Sequence, residues 1–304
     1  MYEITYVGKH DMARGLLATE DIDAGTRILT EAPYITLPLT FLTEPCNALR
    51  EAHFGAFVER ELNTYQLAVL QDLTNNNTSW RDSSQNRYGS QPYVGTVKTN
   101  AIPIDVAIGY EKFRQVGVFP TLSRTNHACK PNAHQTWNRD LKKVTLHAIH
   151  DIKAGEEITI TYRPDSQVAP RWIHATYGFH CRCDFCRKDG EEARKLKRQT
   201  QLTDKRLDEL MHEFEHSKGL QADLANCWER HLLCENAGVI DWRAGMAFLD
   251  GFHVVLKAGD LGRAEVFAEY VKKTVGFYEG EDSVALRRVY EKLNDFSKDV
   301  DAGL

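Results

Sequence analysis

Asn126-His127-Ala128-Cys129-Lys130-Pro131-Asn132 crowds amide, imidazole and thiol groups against a proline that restrains the backbone. Downstream come Gly155-Glu156-Glu157-Ile158-Thr159-Ile160-Thr161-Tyr162, a turn entering a strand, and Tyr177-Gly178-Phe179-His180, which leads into Cys181, Cys183 and Cys186. His127 and Cys129 share a face if this segment is extended. No further group completes a Cys–His nucleophilic site, so a hydrolase is disfavoured. Cys-x-Cys-x-x-Cys places three soft thiolates on one tight loop, a spacing suited to Zn²⁺. A closed structural site needs a fourth ligand, for which Cys129, His180 and His127 compete.

Around this stretch the composition is that of an ordinary globular chain. The 304 residues are 42% hydrophobic and 27% charged, enough for about two domains. A net charge of −5, from 43 acidic and 38 basic residues, argues against a dedicated nucleic-acid binder. Met1-Tyr2-Glu3-Ile4 has neither a positive nor an apolar leader region, so no signal peptide is read. No apolar run approaches the roughly 20 residues of a membrane span, and no membrane partner is expected. The sequons at Asn76 and Asn77 then read as a polar loop. Seven cysteines, three of them clustered, point to metal binding in a reducing compartment, cytoplasmic and/or nuclear, rather than to disulfides.

Further out, the residues up to about Ile35 read as short strands and turns. Asp21-Ile22-Asp23-Ala24-Gly25 is echoed by Asp151-Ile152-Lys153-Ala154-Gly155, each a turn entering a strand and too short to count as a repeat. Pro45 to Leu73 turns helical, with Leu62, Tyr65, Gln66, Val69 and Leu70 as a stripe. Asn75 to Gln91 reads as a polar surface loop. Val94 to Tyr162 reads as β-rich, with strands over 142–149 and 158–162 and a turn at Asn138-Arg139-Asp140. Beyond Lys188 the period becomes helical: Leu207, Leu210, Met211 and Phe214, then Leu286, Val289, Tyr290 and Leu293. Leu224-Trp228-Leu232, Leu249-Phe252-Leu256 and Phe267-Tyr270-Val271 add stripes whose aromatics are expected in a core. Arg194-Lys195-Leu196-Lys197-Arg198 reads as a solvated helix face.

Taken in order, three phrases resemble one family. Asn126 to Asn132 is similar to the NHxCxPN signature of SET domains, Gly155 to Tyr162 to their GEExxxxY strand, and the cysteine triplet to the post-SET zinc loop. The likeness runs from the N-terminus to about Lys188, and SMYD-type SET proteins share the helical tail. The resemblance implies an α+β fold: a β-rich SET domain with knot-like threading in two parts (1–44 and 94–165), a helical insertion (45–93), a post-SET zinc loop (166–190) and an all-α, TPR-like domain (191–304). SMYD proteins also carry a cysteine-rich MYND finger. Between Glu31 and Gly117 this chain has only Cys46, so that finger is missing.

The resemblance also implies roles. S-adenosylmethionine would be held by Asn126, His127, Asn100, Tyr162 and Phe179, with Phe179 stacking on the adenine. Arg14, Gly15 and Leu16 would belong to the cofactor loop usually written GxGL, whose first glycine is here Ala13; Arg14 would reach the methionine carboxylate. Cys129, Cys181, Cys183 and Cys186 would close a structural Zn²⁺ site. Tyr162 and Tyr177 would line a lysine channel, and the partner would be a protein substrate presenting a lysine, a histone tail among the candidates. A catalytically inactive interaction module and a non-protein methyl acceptor are the competing readings.

Overall fold

A computed structural model describes residues 1–7, 14–82, 87–104, 115–162, 170–216 and 218–301. Strands β1 (Tyr2–Tyr6), β2 (Arg14–Ala18), β3 (Arg27–Glu31) and β4 (Ile35–Pro38) open the chain. Helices α1 (Thr40–Thr43), α2 (Ala48–Glu61) and α3 (Thr64–Gln71), the hairpin of β5 (Ser79–Asp82) and β6 (Arg87–Ser90), and helix α4 (Pro92–Asn100) follow. Then come β7 (Ile102–Ile104), β8 (Gln115–Val118), a 3₁₀ turn at Leu122–Arg124, β9 (Asn126–His127), β10 (Ala133–Asn138), β11 (Lys143–Ala148) and β12 (Glu157–Ile160). Helices α5 (Pro170–Tyr177) and α6 (Asp184–Arg187) bracket the cysteine loop. The rest is helical: α7 (Glu191–Glu215), α8 (Leu220–Ala237), α9 (Trp242–Lys257), α10 (Leu261–Glu279) and α11 (Val284–Asp301). The architecture is α+β, strands first and helices last. No helix among the described residues is long and apolar enough to cross a membrane.

Three small sheets, ordered β1-β2-β12-β9, β10-β11-β3 and β4-β8-β7, make up most of the β part. Leu16, Phe119, Leu122, Leu146, Ile152 and Ile158 are fully buried between them. The two Asp-Ile-x-Ala-Gly phrases pair with each other. Ile22 and Ile152 form an antiparallel bridge, the Asp21 carboxylate accepts the Ala154 N–H, and the Asp151 carboxylate accepts the Ala24 N–H, both at 2.9 Å. Gly25 (φ +87°) and Gly155 (φ +83°) supply the left-handed backbone at each turn. The echo is thus a reciprocal clasp that aims the chain into β3 and β12.

Three expectations are corrected. The stretch read as a polar loop from Asn75 carries the β5–β6 hairpin, held because Gln91 donates its side-chain amide to the Ser79 carbonyl at 2.9 Å and its backbone N–H to Thr78 at 3.0 Å. Val94 does not open a β-rich stretch but lies in α4. Its β-branched residues favour a strand, yet Pro92 presets the first helical turn. The Glu51 carboxylate of α2 then caps that turn by accepting the Tyr93 and Val94 N–H groups at 2.7 and 3.1 Å. Finally, Trp228, Leu232, Tyr270 and Tyr290 are exposed rather than core. Helix α8 instead buries Cys227, Arg230 and Cys234, because Arg230 pairs with Asp250 of α9 at 2.7 Å. Arg194 to Arg198 does form an outer face of α7, as read, though Lys197 turns back to donate to the Cys186 and Lys188 carbonyls at 3.0 and 2.8 Å.

The helical region docks on the β10-β11-β3 sheet through the short turn between α10 and α11. Arg27 of β3 forms a bidentate pair with Asp282 and donates through Nε to His147 Nε2 at 3.0 Å. Asn138 donates to the Asp282 carbonyl at 2.9 Å, and Arg287 pairs with Asp140 at 2.6 Å. Tyr278 meets the His134 ring edge-on at 5.0 Å. Burial, and then the Arg27 guanidinium, depress the His147 imidazole to about 4. A neutral His147 in the fold against an ordinary one in the unfolded chain stabilises above about pH 6.5, and that contribution is lost as pH falls towards 4. Between pH 7.5 and 5 the loss in urea unfolding should be smaller by about 2 kcal/mol in His147→Gln than in the parent, since His134 and His253, which burial also depresses to about 4, still contribute in both; equal losses in both proteins would remove His147 from the account.

Candidate active site

Strands β9 and β12 run parallel, pairing Asn126 with Thr159 and His127 with Ile160. Asn132 locks the crossing. Its side chain accepts the Thr159 N–H at 2.8 Å and donates to the Glu157 carbonyl at 2.9 Å. The Asn126 amide donates to Glu157 Oε1 at 2.8 Å and to the Arg14 carbonyl at 3.4 Å. Only its carbonyl oxygen is left for another molecule. Gly15 of β2 lies directly opposite: a Cβ there would come within 2.8–2.9 Å of Asn126, Val7 and Glu157. Only glycine permits this approach.

The buried His127 ring receives the Tyr162 N–H on Nδ1 at 3.1 Å. Nε2 therefore carries the proton, and it faces the Cys129 sulfur at 3.5 Å. The Tyr162 hydroxyl donates to the Thr125 carbonyl at 3.0 Å. Its ring lies 5.4 Å from His127 and 4.9 Å from Tyr177, whose ring is 6.4 Å from Phe179. Burial, then the neighbouring Tyr177, push the Tyr162 phenol well above its usual range, and burial also raises Tyr177. Both are neutral hydroxyls at physiological pH.

Arg14, Asn100, Asn126, His127, Tyr162, Tyr177 and Phe179 line one open cleft of about 1530 Å³, which continues past Trp137 to Trp242, Glu279 and Arg288 of the helical region. That exceeds a typical small-ligand pocket and leaves room for a cofactor and a chain segment together. Asn100 is buried at the end of α4, with its amide on the Thr74 and Thr96 carbonyls at 2.6 and 2.8 Å. Arg14 is paired with Asp72, which also holds Arg124, each at 2.7 Å. Gly15 and Leu16 do not line the cleft. Strand alternation turns the Leu16 side chain into the core, fully buried beside Ile158. Met12 and Ala13 of the same loop lie outside the described residues.

Three residues of this site were given no part in it by the sequence. Asn76 donates to the Tyr177 carbonyl at 2.7 Å, tying the insertion to the tyrosine wall. Asp72 anchors both arginines, and Glu157 holds Asn126. Glu157 sits inside a quoted motif and was within reach; Asn76 was read only as a sequon in a polar loop, and no spacing marks Asp72.

Cys129, Cys181, Cys183 and Cys186 bring their sulfurs within 4.8 Å of one another, none in a disulfide. Cys129 Sγ lies 3.4 Å from Cys186 and 3.9 Å from Cys181. Tetrahedral zinc with bonds of about 2.3 Å needs sulfur separations of about 3.8 Å. The donor set therefore fits. His180, a competitor for the fourth position, stacks on His174 at 4.1 Å instead.

Residues 13–163 match the family described as the SET domain. The histone-lysine N-methyltransferase set5 of Schizosaccharomyces pombe is 30% identical over 277 residues, covering 88% of this chain and 76% of that protein. This chain belongs to the SET domain family. Among other SET relatives, the histone-lysine N-methyltransferase SMYD3 of Homo sapiens is 33% identical over 81 residues, 26% of this chain and 18% of that protein. Smyd1 of Mus musculus is 28% identical over 154 residues, 45% of this chain and 29% of that protein. The segment matched as the SET domain takes in β2 to β12 and the insertion between them.

Two substitutions probe the site. Cys183→Ser should lower bound zinc by one equivalent in metal analysis and Tm by more than about 5 °C; full metal content would exclude Cys183 as a ligand. Gly15→Ala should cost about 1–3 kcal/mol in urea unfolding, because the added methyl meets Asn126 and Glu157.

Proposed function

We propose that this SET domain chain is an S-adenosylmethionine-dependent methyltransferase acting on the side-chain amine of a lysine in a protein substrate, a histone among the candidates. The relatives named as histone-lysine N-methyltransferases support this reading. The observation that carries it is the convergence of Asn126, His127, Tyr162 and Tyr177 on one cleft. We read 1–44 and 94–165 as the two parts of the SET domain, with 166–190 as its zinc loop and a cytoplasmic or nuclear setting.

The cofactor, when bound, supplies an electrophilic methyl group on a sulfonium. Asn126, His127, Asn100 and Phe179 are the residues that would hold it, with Arg14 beside its carboxylate. Burial between Tyr162 and Tyr177 and the positive charge of the nearby sulfonium both disfavour an ammonium ion, so the lysine would react as the neutral amine. The Tyr162 hydroxyl spends its proton on the Thr125 carbonyl. Its oxygen is thereby free to accept from the amine and to point the nitrogen lone pair along the line of attack. As a neutral phenol it positions the amine rather than removing its proton. Cys129, Cys181, Cys183 and Cys186 would hold a structural zinc that ties the Asn126–His127 strand to the loop bearing Tyr177 and Phe179.

Incubation with labelled cofactor and basic proteins, read by mass spectrometry, should place methyl groups on lysine. Tyr162→Phe should reduce the rate about a hundredfold while calorimetry shows cofactor binding retained. Undiminished labelling in the variant would remove Tyr162 from its role. An absence of cofactor binding in the parent would favour a non-catalytic scaffold, and label confined to small molecules would favour a non-protein acceptor.

A further inference from the structure

Helix α7 ends, far along the chain from the cysteine loop, on His212-Glu213-Phe214-Glu215-His216. We propose that His212, Glu215 and His216 form a second metal site, for a divalent transition metal of the zinc class. His212 and Glu215, at i and i+3, lie on one face of the last turn of α7, and His216 follows directly as the residue that ends the helix. The ligand atoms of these three come within 4.8 Å of one another, and all three side chains are exposed. The imidazoles stand 4.9 Å apart, inclined at 72°.

The hydrogen bonds orient the donors. His216 Nδ1 lies 3.1 Å from the His212 carbonyl. A carbonyl only accepts, so Nδ1 bears the proton and the Nε2 lone pair is left for a metal. Ligating histidines are commonly set by such a bond to a backbone carbonyl. His212 Nδ1 donates to Glu215 Oε2 at 3.2 Å, which leaves the His212 Nε2 lone pair for a metal and holds the carboxylate against the same cluster.

The electrostatics favour a cation. The site sits at the C-terminal end of a long helix, where the macrodipole is negative. Two basic side chains of the same helix are engaged elsewhere: Arg206 pairs with Glu213 and Glu229 at 3.1 and 2.9 Å, and Lys205 with Glu209 at 3.5 Å. Two imidazoles and one carboxylate suit Zn²⁺, Ni²⁺ or Co²⁺, whereas calcium and magnesium call for more oxygen donors. Three protein ligands leave a coordination position open to water. The site shares no residue with the four-thiol cluster and stands apart from any methyl-transfer reading.

The test uses the untagged full chain, dialysed to equilibrium against buffered Zn²⁺, with total metal counted per chain. Wild-type protein should hold two equivalents, Cys183→Ser one, and the His212→Ala/His216→Ala double variant one. Substitution with Co²⁺ separates the sites. The thiol cluster gives intense sulfur-to-metal charge-transfer bands, and the histidine site only weak ligand-field bands, which the double variant should lose. Glu215→Gln should weaken uptake without abolishing it. Because these side chains are exposed, the double variant should melt like wild type when both are stripped of the second metal. Equal uptake by wild type and the double variant, or a wild type with no weak-field cobalt component, overturns the proposal.

Discussion

The parallel pairing of β9 with β12 is the contact on which the site depends. Two short strands distant in sequence are brought side by side, with Asn126 against Thr159 and His127 against Ile160. A parallel pair cannot be closed by a tight hairpin, so the connection must travel out through β10 and β11 and return. That excursion is stabilised by Asn132 gripping β12 from the far side and by the clasp between the Asp21 and Asp151 turns. Once the two strands are in register, the cysteine two residues past one and the tyrosine two residues past the other have little choice of position.

His127 joins these two ends. One ring nitrogen accepts the backbone of Tyr162, so the other carries a proton towards the Cys129 sulfur. The imidazole is thus a rigid spacer between the thiol cluster and the tyrosine wall. Asn76 reaches the same wall from the insertion through the Tyr177 carbonyl. Three separate parts of the chain therefore meet at one pair of aromatic rings.

The helical region obeys a different logic. Its helices are registered by buried ion pairs: Arg230 of α8 with Asp250 of α9 at 2.7 Å, and Arg243 of α9 with Asp204 of α7 and with Asp241 just before α9 at 2.9 and 2.7 Å. Buried pairs add little net stability but make the wrong register costly, since an unpaired buried charge is strongly unfavourable. The Arg230–Asp250 pair explains why Trp228 on α8 stays outside: the polar anchor, not the aromatic stripe, chooses the face. The Arg27–Asp282 pair and the Asn138–Asp282 bond then seat this region on the sheet, so the cleft has one wall from each part.

The local chemistry was legible in the amino-acid sequence. The Asn126-to-Asn132 phrase, the Gly155-to-Tyr162 strand and the cysteine triplet mark themselves by residue type and spacing. Helical periodicity beyond Lys188 likewise survives folding, because amphipathic period reflects which side must leave water. Tertiary structure alone decided what depends on partners remote in sequence. It made α4 a helix by lending it the Glu51 carboxylate as a cap, against its own β-branched preference. It set Arg14 against Asp72 and turned Leu16 into the core, and it drew the four sulfurs into one tetrahedron-sized space. A motif states which groups are available, whereas geometry among strands far apart in the chain determines which of their hydrogen bonds and charges are already used.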